Sequence, residues 1–397
     1  MSVERSEEDS RGKIPPLRER FSPLLSESGH ETLHPDLYSS LVDDGTDVII
    51  QRLKEYNAQR KNLLKDLRGK IAIKSFPKRE DVVNFRVVAS DAGNNGADFR
   101  SAFIPLYASV AIAAEGWTII DEPIFKAGEP QIWPDEPRPR DRESLLAARL
   151  QFEATLKAIE RWRPKYVVMD GSLLINFWLL PAIFRSTEEY ERDFDSAITQ
   201  SIRLLCSCYE MDIPIVGFVK RTRMNDICAM LGAPKMRDTA LLDMMLSLGE
   251  YTAPIALTNG QVINVYRRKC FDLGITESEV KRFLNIHFSY AKTGLTTPFR
   301  LEIPEYCLDR LEEIGTLIFL TSEEDGIPFA VNEADNLTRL TTSVSNIRTL
   351  MMYSKALDLV RNGEMNPDDL NLLALQHGEP WVLRDGNHIK MLSGREK

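Results

Sequence analysis

Two aspartates set the first question of chemistry. Asp170 closes the run Tyr166-Val167-Val168-Met169 and leads straight into Gly171-Ser172-Leu173, while Asp91 closes Phe85-Arg86-Val87-Val88-Ala89-Ser90 and leads into Ala92-Gly93. Both runs are short, apolar and rich in β-branched residues, the pattern of buried strands. Open α/β sheets gather their chemistry at the carboxyl ends of such strands. If the two strands are neighbours, their carboxylates converge on one hard cation, because Mg²⁺ and Mn²⁺ take oxygen ligands in octahedral geometry. An aspartate before Gly-Ser also serves simply to cap a turn or a helix; the paired occurrence is what points to a metal. The third acid in reach is Glu153, on a predicted helix just before the Asp170 strand, at the edge of the stripe Leu145, Leu146, Phe152, Leu156 and Ile159. Spacing alone favours an ordinary exposed helix acid at that position, since Glu is rarely buried.

The elements that must position these residues follow from periodicity. An amphipathic helix is expected over about 35–67, strands over about 85–90, 101–114 and 117–120, and a loop or insertion over 121–142. A helix over about 142–162 then leads to the Asp170 strand, with a further helix over 187–209 and a strand over 213–219. Beyond Tyr251 the pattern predicts strands near Ile255, over 262–266 and over 287–291, and helices over 277–283, 307–314 and 348–361. The order is an antiparallel opening of strands, then helix, strand, helix, strand. That order fits an α/β fold with a ribonuclease-H-like mixed sheet flanked by helices, an N-terminal helical extension and C-terminal α/β elements. Divided accordingly, 1–30 is a mobile polar arm, 31–84 a helical basic extension, 85–345 the catalytic domain and 346–397 a C-terminal helical segment, with no linker that splits the chain outright.

Composition narrows the class. With 397 residues, 43% of them hydrophobic and 27% charged, the chain is long enough for a substantial core. Asn176 and Pro181 interrupt the longest apolar stretch, so no membrane span is expected. The polar, charged start and the scattered cysteines 206, 208, 228, 270 and 307 fit a cytoplasmic protein. A net charge of −9 argues against a uniformly basic surface, yet residues 53–79 hold nine Lys/Arg against two Asp/Glu. Lys220, Arg221, Arg223, Lys235 and Arg237 form a second basic group. Such clusters attract phosphates locally, and they are as often plain solvated faces.

Other chemistries lack their signatures. Gly93-Asn94-Asn95-Gly96 has neither a Walker pattern nor the helix-opening context of a dinucleotide loop, and no G-x-S-x-G or H-E-x-x-H occurs. The five histidines stand beside no nucleophile. Instead, an ordered series of short segments resembles the NurA family of DNA-end-processing nucleases. These segments are Val88-Ala89-Ser90-Asp91-Ala92-Gly93, Arg149-Leu150-Gln151-Phe152-Glu153, Val168-Met169-Asp170-Gly171-Ser172-Leu173, Gly217-Phe218-Val219-Lys220-Arg221, Arg237-Asp238-Thr239-Ala240-Leu241-Leu242, Pro298-Phe299-Arg300-Leu301-Glu302 and Pro328-Phe329-Ala330-Val331-Asn332-Glu333-Ala334-Asp335.

What the resemblance implies is a nuclease dependent on Mn²⁺ or Mg²⁺, a homodimer with a channel for DNA strands, and docking on a HerA-type hexameric ATPase in end resection. It implies 5′–3′ exonuclease and single-strand endonuclease activity. Residue by residue, Asp91, Glu153 and Asp170 fall at the metal carboxylates, Asp238 at a further acid, Lys220 at a basic residue near the scissile phosphate, and Asp335 at a late element of the site. The chain departs from the family at Ala92, where Gly is common, and at Asp335, where many members have His. A non-catalytic dimeric clamp of the same architecture and an RNA-directed hydrolase are the competing expectations.

Overall fold

The computed structural model describes residues 39–67, 69–77, 79–233, 236–257 and 260–369. The expected arm at 1–30, Lys235 and the end of the expected C-terminal segment from 370 lie outside these residues. The chain divides into two compact units, Met1–Arg68 and Gly69–Lys397. In the first, helix α1 (Gly45–Leu67) is entered through a π-helical turn, Ser39–Asp44, in which Val42 accepts a hydrogen bond from the Thr46 hydroxyl. The expected start of this helix at Pro35 lies outside the described residues, and within them its apolar Val48, Ile49 and Leu53 are exposed.

The second unit starts before the expected boundary at 84. Its strands are β1 (Ile73–Ser75), β2 (Arg86–Asn94), β3 (Ala97–Asp98), β4 (Ala102–Ile104), β5 (Tyr107–Glu115), β6 (Thr118–Ile119), β7 (Ile124–Ala127), β8 (Trp133–Pro134), β9 (Tyr166–Asp170), β10 (Ile215–Val219), β11 (Glu250–Thr252), β12 (Ile255–Ala256), β13 (Ile286–Ala291) and β14 (Phe299–Pro304). Among the described residues eleven of them form one sheet in the order β1-β11-β13-β14-β10-β9-β2-β5-β6, with β12 on β13 and β7 on β5. β2, β9 and β10 run parallel, while β5 and β14 flank them antiparallel. The antiparallel opening followed by parallel strands is the ribonuclease-H-like arrangement expected from the element order. The helices are α2 (Pro139–Trp162), α3 (Glu188–Glu210), α4 (Asp226–Met230), α5 (Asp238–Leu242), α6 (Gly260–Asp272), α7 (Glu277–Leu284), α8 (Leu311–Leu320), α9 (Phe329–Thr338) and α10 (Thr342–Arg361).

Local sequence explains the elements that hold the site. Tyr166 to Met169 of β9 are all buried between layers, at roughly 1.5–3 kcal/mol per large apolar side chain. Pro139 pre-sets the first turn of α2, and Arg163 ends the helix in the left-handed region with φ 44°. Thr187 caps α3 by accepting from the Tyr190 amide, and the buried series Tyr190, Phe194, Ala197, Ile198, Ile202 and Leu205 follows the helical period.

Three sequence expectations change. Residues 262–266 are helical, because Val262, Tyr266 and Cys270 form a buried stripe at four-residue spacing that outweighs the β-branched composition. The stretch 121–142 holds β7, β8 and the first turn of α2 rather than loop alone. Residues 101–114 split into β4 and β5 at Pro105.

Strand alternation separates two helical layers. Ser90 and Asp91 are consecutive on β2 and therefore face opposite sides of the sheet. Thr155 of α2 donates to the Ser90 hydroxyl at 2.7 Å, whereas Thr338 of α9 donates to the Asp91 carboxylate. Thus α2 covers one face of the central strands and α9 the other.

Candidate metal centre

Register brings the two aspartates together, Asp170 at the end of β9 and Asp91 within β2, which runs on past its expected end at Ser90 to Asn94 along β5. Ser90 pairs with Met169 across the parallel β2–β9 ladder, so Asp91 stands level with Asp170 on the neighbouring strand. Phe218 pairs with Asp170 across β9–β10, and Lys220, two residues further, returns to the same face. Helix α9 adds Asp335. Carboxylate oxygens of Asp91, Asp170 and Asp335 all lie within 4.8 Å of one another. Lys220 Nζ sits between two of them, 2.6 Å from Asp170 Oδ2 and 2.8 Å from Asp335 Oδ1. Arg339 reaches the other oxygen of Asp335 at 3.2 Å.

The backbone makes room for this convergence. Gly93 lies beside the end of α9, where a Cβ would come within 2.2 Å of the Thr338 carbonyl oxygen. Gly171 takes φ +99°, turning the chain sharply after Asp170. Glu302 of β14 then fastens that turn, accepting from the Ser172 hydroxyl at 2.6 Å and the Leu173 amide at 3.2 Å. Arg300 pairs with Glu302 at 3.0 Å and with Asp226 at 3.0 Å, so these buried charges are compensated.

Three acids in one partly desolvated place repel one another. Burial, and then the neighbouring charge of Asp91, push the Asp170 carboxyl up to about 7, against which Lys220 pulls. Burial alone would lower the Lys220 ammonium, but the Asp170 and Asp335 carboxylates hold it above its ordinary value. Burial likewise opposes ionisation of Asp335, yet its bonds to Lys220 and Arg339 keep its carboxyl below the usual range. Three hard oxygen donors on one spot, one of them a buried carboxyl whose ionisation a further cation would favour, fit a divalent metal.

The NurA domain model matches residues 85–340, more than half of the chain. The chain belongs to the NurA family. No curated protein matches it by sequence. Among solved structures it resembles the NurA nuclease from Sulfolobus solfataricus, with a TM-score of 0.59 and 16% identity over 84% of this chain and 100% of that one. It is also similar to a NurA bound to dAMP and manganese, with a TM-score of 0.52 and 10% identity over 84% of this chain and 99% of that one. These likenesses establish the fold.

On this NurA fold, Asp91, Asp170, Lys220 and Asp335 come together, and two other predicted residues do not. Glu153 lies on α2, the layer across the sheet from Asp335, and its carboxylate is held by Lys126 of β7 at 2.9 Å and Arg149 at 3.7 Å. The sheet-facing position of that turn is Gln151, two residues away and so about 200° around the helix. Gln151 donates to the carbonyls of Ser90 and Asp170, both at 2.9 Å, tying the two site strands together from behind. Asp238 is fully buried and accepts from the Ile227 and Cys228 amides and the Tyr290 hydroxyl. Its carboxylate serves the start of α4 rather than the site.

Ala92 points to the face opposite Asp91, packing against the cluster of Phe103, Tyr107 and Leu150. The departure there leaves the acidic face unchanged. Sequence reasoning missed Thr338 and Gln151. The four-residue spacing of Gln151 and Thr155 on α2 carried a signal for the second, whereas nothing local marks Thr338 as a partner of Asp91.

Proposed function

We propose that this NurA-family protein is a divalent-metal-dependent nuclease that hydrolyses DNA phosphodiesters. The observation that carries the reading is the convergence of Asp91 and Asp170, on adjacent parallel strands, with Asp335 of α9, and the pairing of Lys220 with Asp170 and Asp335. Asp91, Asp170 and Asp335 would hold the metal, which when bound supplies a Lewis acid for the phosphate and lowers the pKa of an attacking water. Thr338 fixes the rotation of Asp91 by donating to Oδ2. Lys220 keeps its proton and offers positive charge where the phosphate gains negative charge. Gln151 and Glu302 keep the β2 and β9 ends and the Gly171 turn in place.

The finer reading is that the protein uses Mn²⁺ or Mg²⁺, acts as a homodimer in the cytoplasm, and degrades 5′ ends and single strands in end resection with a HerA-type ATPase. The manganese in similar NurA structures supports the metal, and the family resemblance supports the partnership. Among the described residues no helix is long and apolar enough to cross a membrane. A second reading, a dimeric DNA clamp with weak or no catalysis, draws on Glu153 being held away from the acidic group.

The test is cleavage of end-labelled single- and double-stranded DNA, with an RNA of the same sequence, in Mn²⁺, Mg²⁺ or EDTA. Metal-dependent DNA cleavage lost in Asp91→Asn and Asp170→Asn supports the nuclease. Tight DNA binding without cleavage in either metal overturns it in favour of the clamp, and preferential RNA cleavage in favour of an RNA-directed hydrolase.

A further inference from the structure

A groove of about 870 Å³ leads away from Asp170 and Lys220, and its walls are unlike the rest of the site. Part of the lining comes from the segment after the Gly171 turn, where Phe177 and Trp178 remain 40% and 52% exposed. Large aromatic rings beside a polar centre are costly to leave in water unless something flat covers them. The segment after β10 also lines the groove, and there Arg221 and Arg223 are exposed. Among the described residues no carboxylate pairs with either, although the protein as a whole carries a charge of −9. Exposed basic and aromatic residues therefore line one groove, together with Asp170 and Asp335 of the acidic centre.

We infer that this groove is the seat of an unpaired DNA strand, with bases stacked on Trp178 and Phe177 and phosphates held by Arg221 and Arg223. The inference rests on the nuclease reading and deepens it by naming the side chains that hold the single strand beside the acidic centre. Every base presents a π face, so the grip is indifferent to sequence. A base inside a duplex has both faces covered by its neighbours and must be unstacked to reach the rings. The strand must therefore be open where it crosses the groove, whether it arrives as a single strand or from a frayed end.

Binding is measured with full-length protein in EDTA, by anisotropy of a labelled oligonucleotide, so that it does not depend on cleavage. Trp178→Ala should weaken single-strand binding about tenfold or more, Trp178→Phe should recover most of it, and a strand with abasic sugars should narrow the gap between wild type and Trp178→Ala. Replacing Arg221 and Arg223 together by Ala should flatten the salt dependence by about 1.4 in log–log slope, at about 0.7 per phosphate contact. A merely structural role for Trp178 would weaken intact and abasic strands alike, and that result overturns the inference. Wild-type affinity in the folded Trp178→Ala and Phe177→Ala variants also overturns it, while metal-dependent cleavage by the same preparations would leave the nuclease reading standing. Conversely, normal groove binding by a wild type that cleaves nothing in Mn²⁺ or Mg²⁺ removes the nuclease reading alone.

Discussion

Replacing Asp170 by Asn should make the metal-free protein more stable, and only at higher pH. The folded protein raises this carboxyl from the ordinary 3.8 to about 7, mainly by burial and then by the charge of Asp91. An acid raised on folding holds its proton more tightly in the native state. Wild type therefore pays nothing below the unfolded pKa, loses stability as pH climbs from about 4 to about 7, and bears the full cost above that. The shift of about 3 units corresponds to roughly 4 kcal/mol at pH 8.5, of which between 1 and 2 kcal/mol is already present at pH 5. The side chain is only 10% exposed, so screening removes little of this. Asn has nearly the same shape, carries no charge, and leaves Lys220 its 2.8 Å pair with Asp335. Urea unfolding in EDTA should show the variant gaining about 3 kcal/mol on wild type between pH 5 and pH 8.5. Added Mn²⁺ should narrow the variant's lead at pH 8.5 to between about 1 and 2 kcal/mol, since a cation at a hundredfold its Kd adds about 2.7 kcal/mol to the form that binds it. Parallel stability curves for the two proteins across this range would refute the account of Asp170 as a charge strained by burial and by its neighbour.

Glu153→Gln should change turnover at saturating and limiting Mn²⁺ by no more than a few-fold, because it breaks only part-exposed pairs with Lys126 and Arg149; a loss above about a hundredfold would return Glu153 to the centre. Asp238→Ala should cost roughly 2–4 kcal/mol of stability by leaving the Ile227 and Cys228 amides and the Tyr290 hydroxyl without their buried acceptor, and an unchanged thermal midpoint would contradict that role. Gly93→Ala drives a methyl group into the Thr338 carbonyl; about 1–3 kcal/mol of destabilisation with weakened Mn²⁺ binding is expected, and normal metal affinity by calorimetry would show that α9 does not need this close approach.

The sequence by itself determined the two strands that carry Asp91 and Asp170, because continuous apolar runs before a charged residue have few other solutions in water, although β2 runs on past Asp91 to Asn94 through the expected turn. It also determined the order of strands and helices around them, and hence a mixed sheet with its chemistry at one edge. It could not decide which acids join them. Glu153 and Gln151 are two residues apart on one helix, and only the rotation of that helix against β2 sends Gln151 to the strand ends and Glu153 to Lys126. Asp238 and Asp335 are both acids on short segments far along the chain, yet one is buried against amides and the other is carried by α9 to the open face. Nor could it find Thr338, whose contact with Asp91 spans 247 residues. Periodicity is a property of neighbours in sequence, whereas a metal centre is assembled from side chains that meet only when separate layers pack. The side of the sheet on which each helix lies is therefore what turned a list of acids into a site.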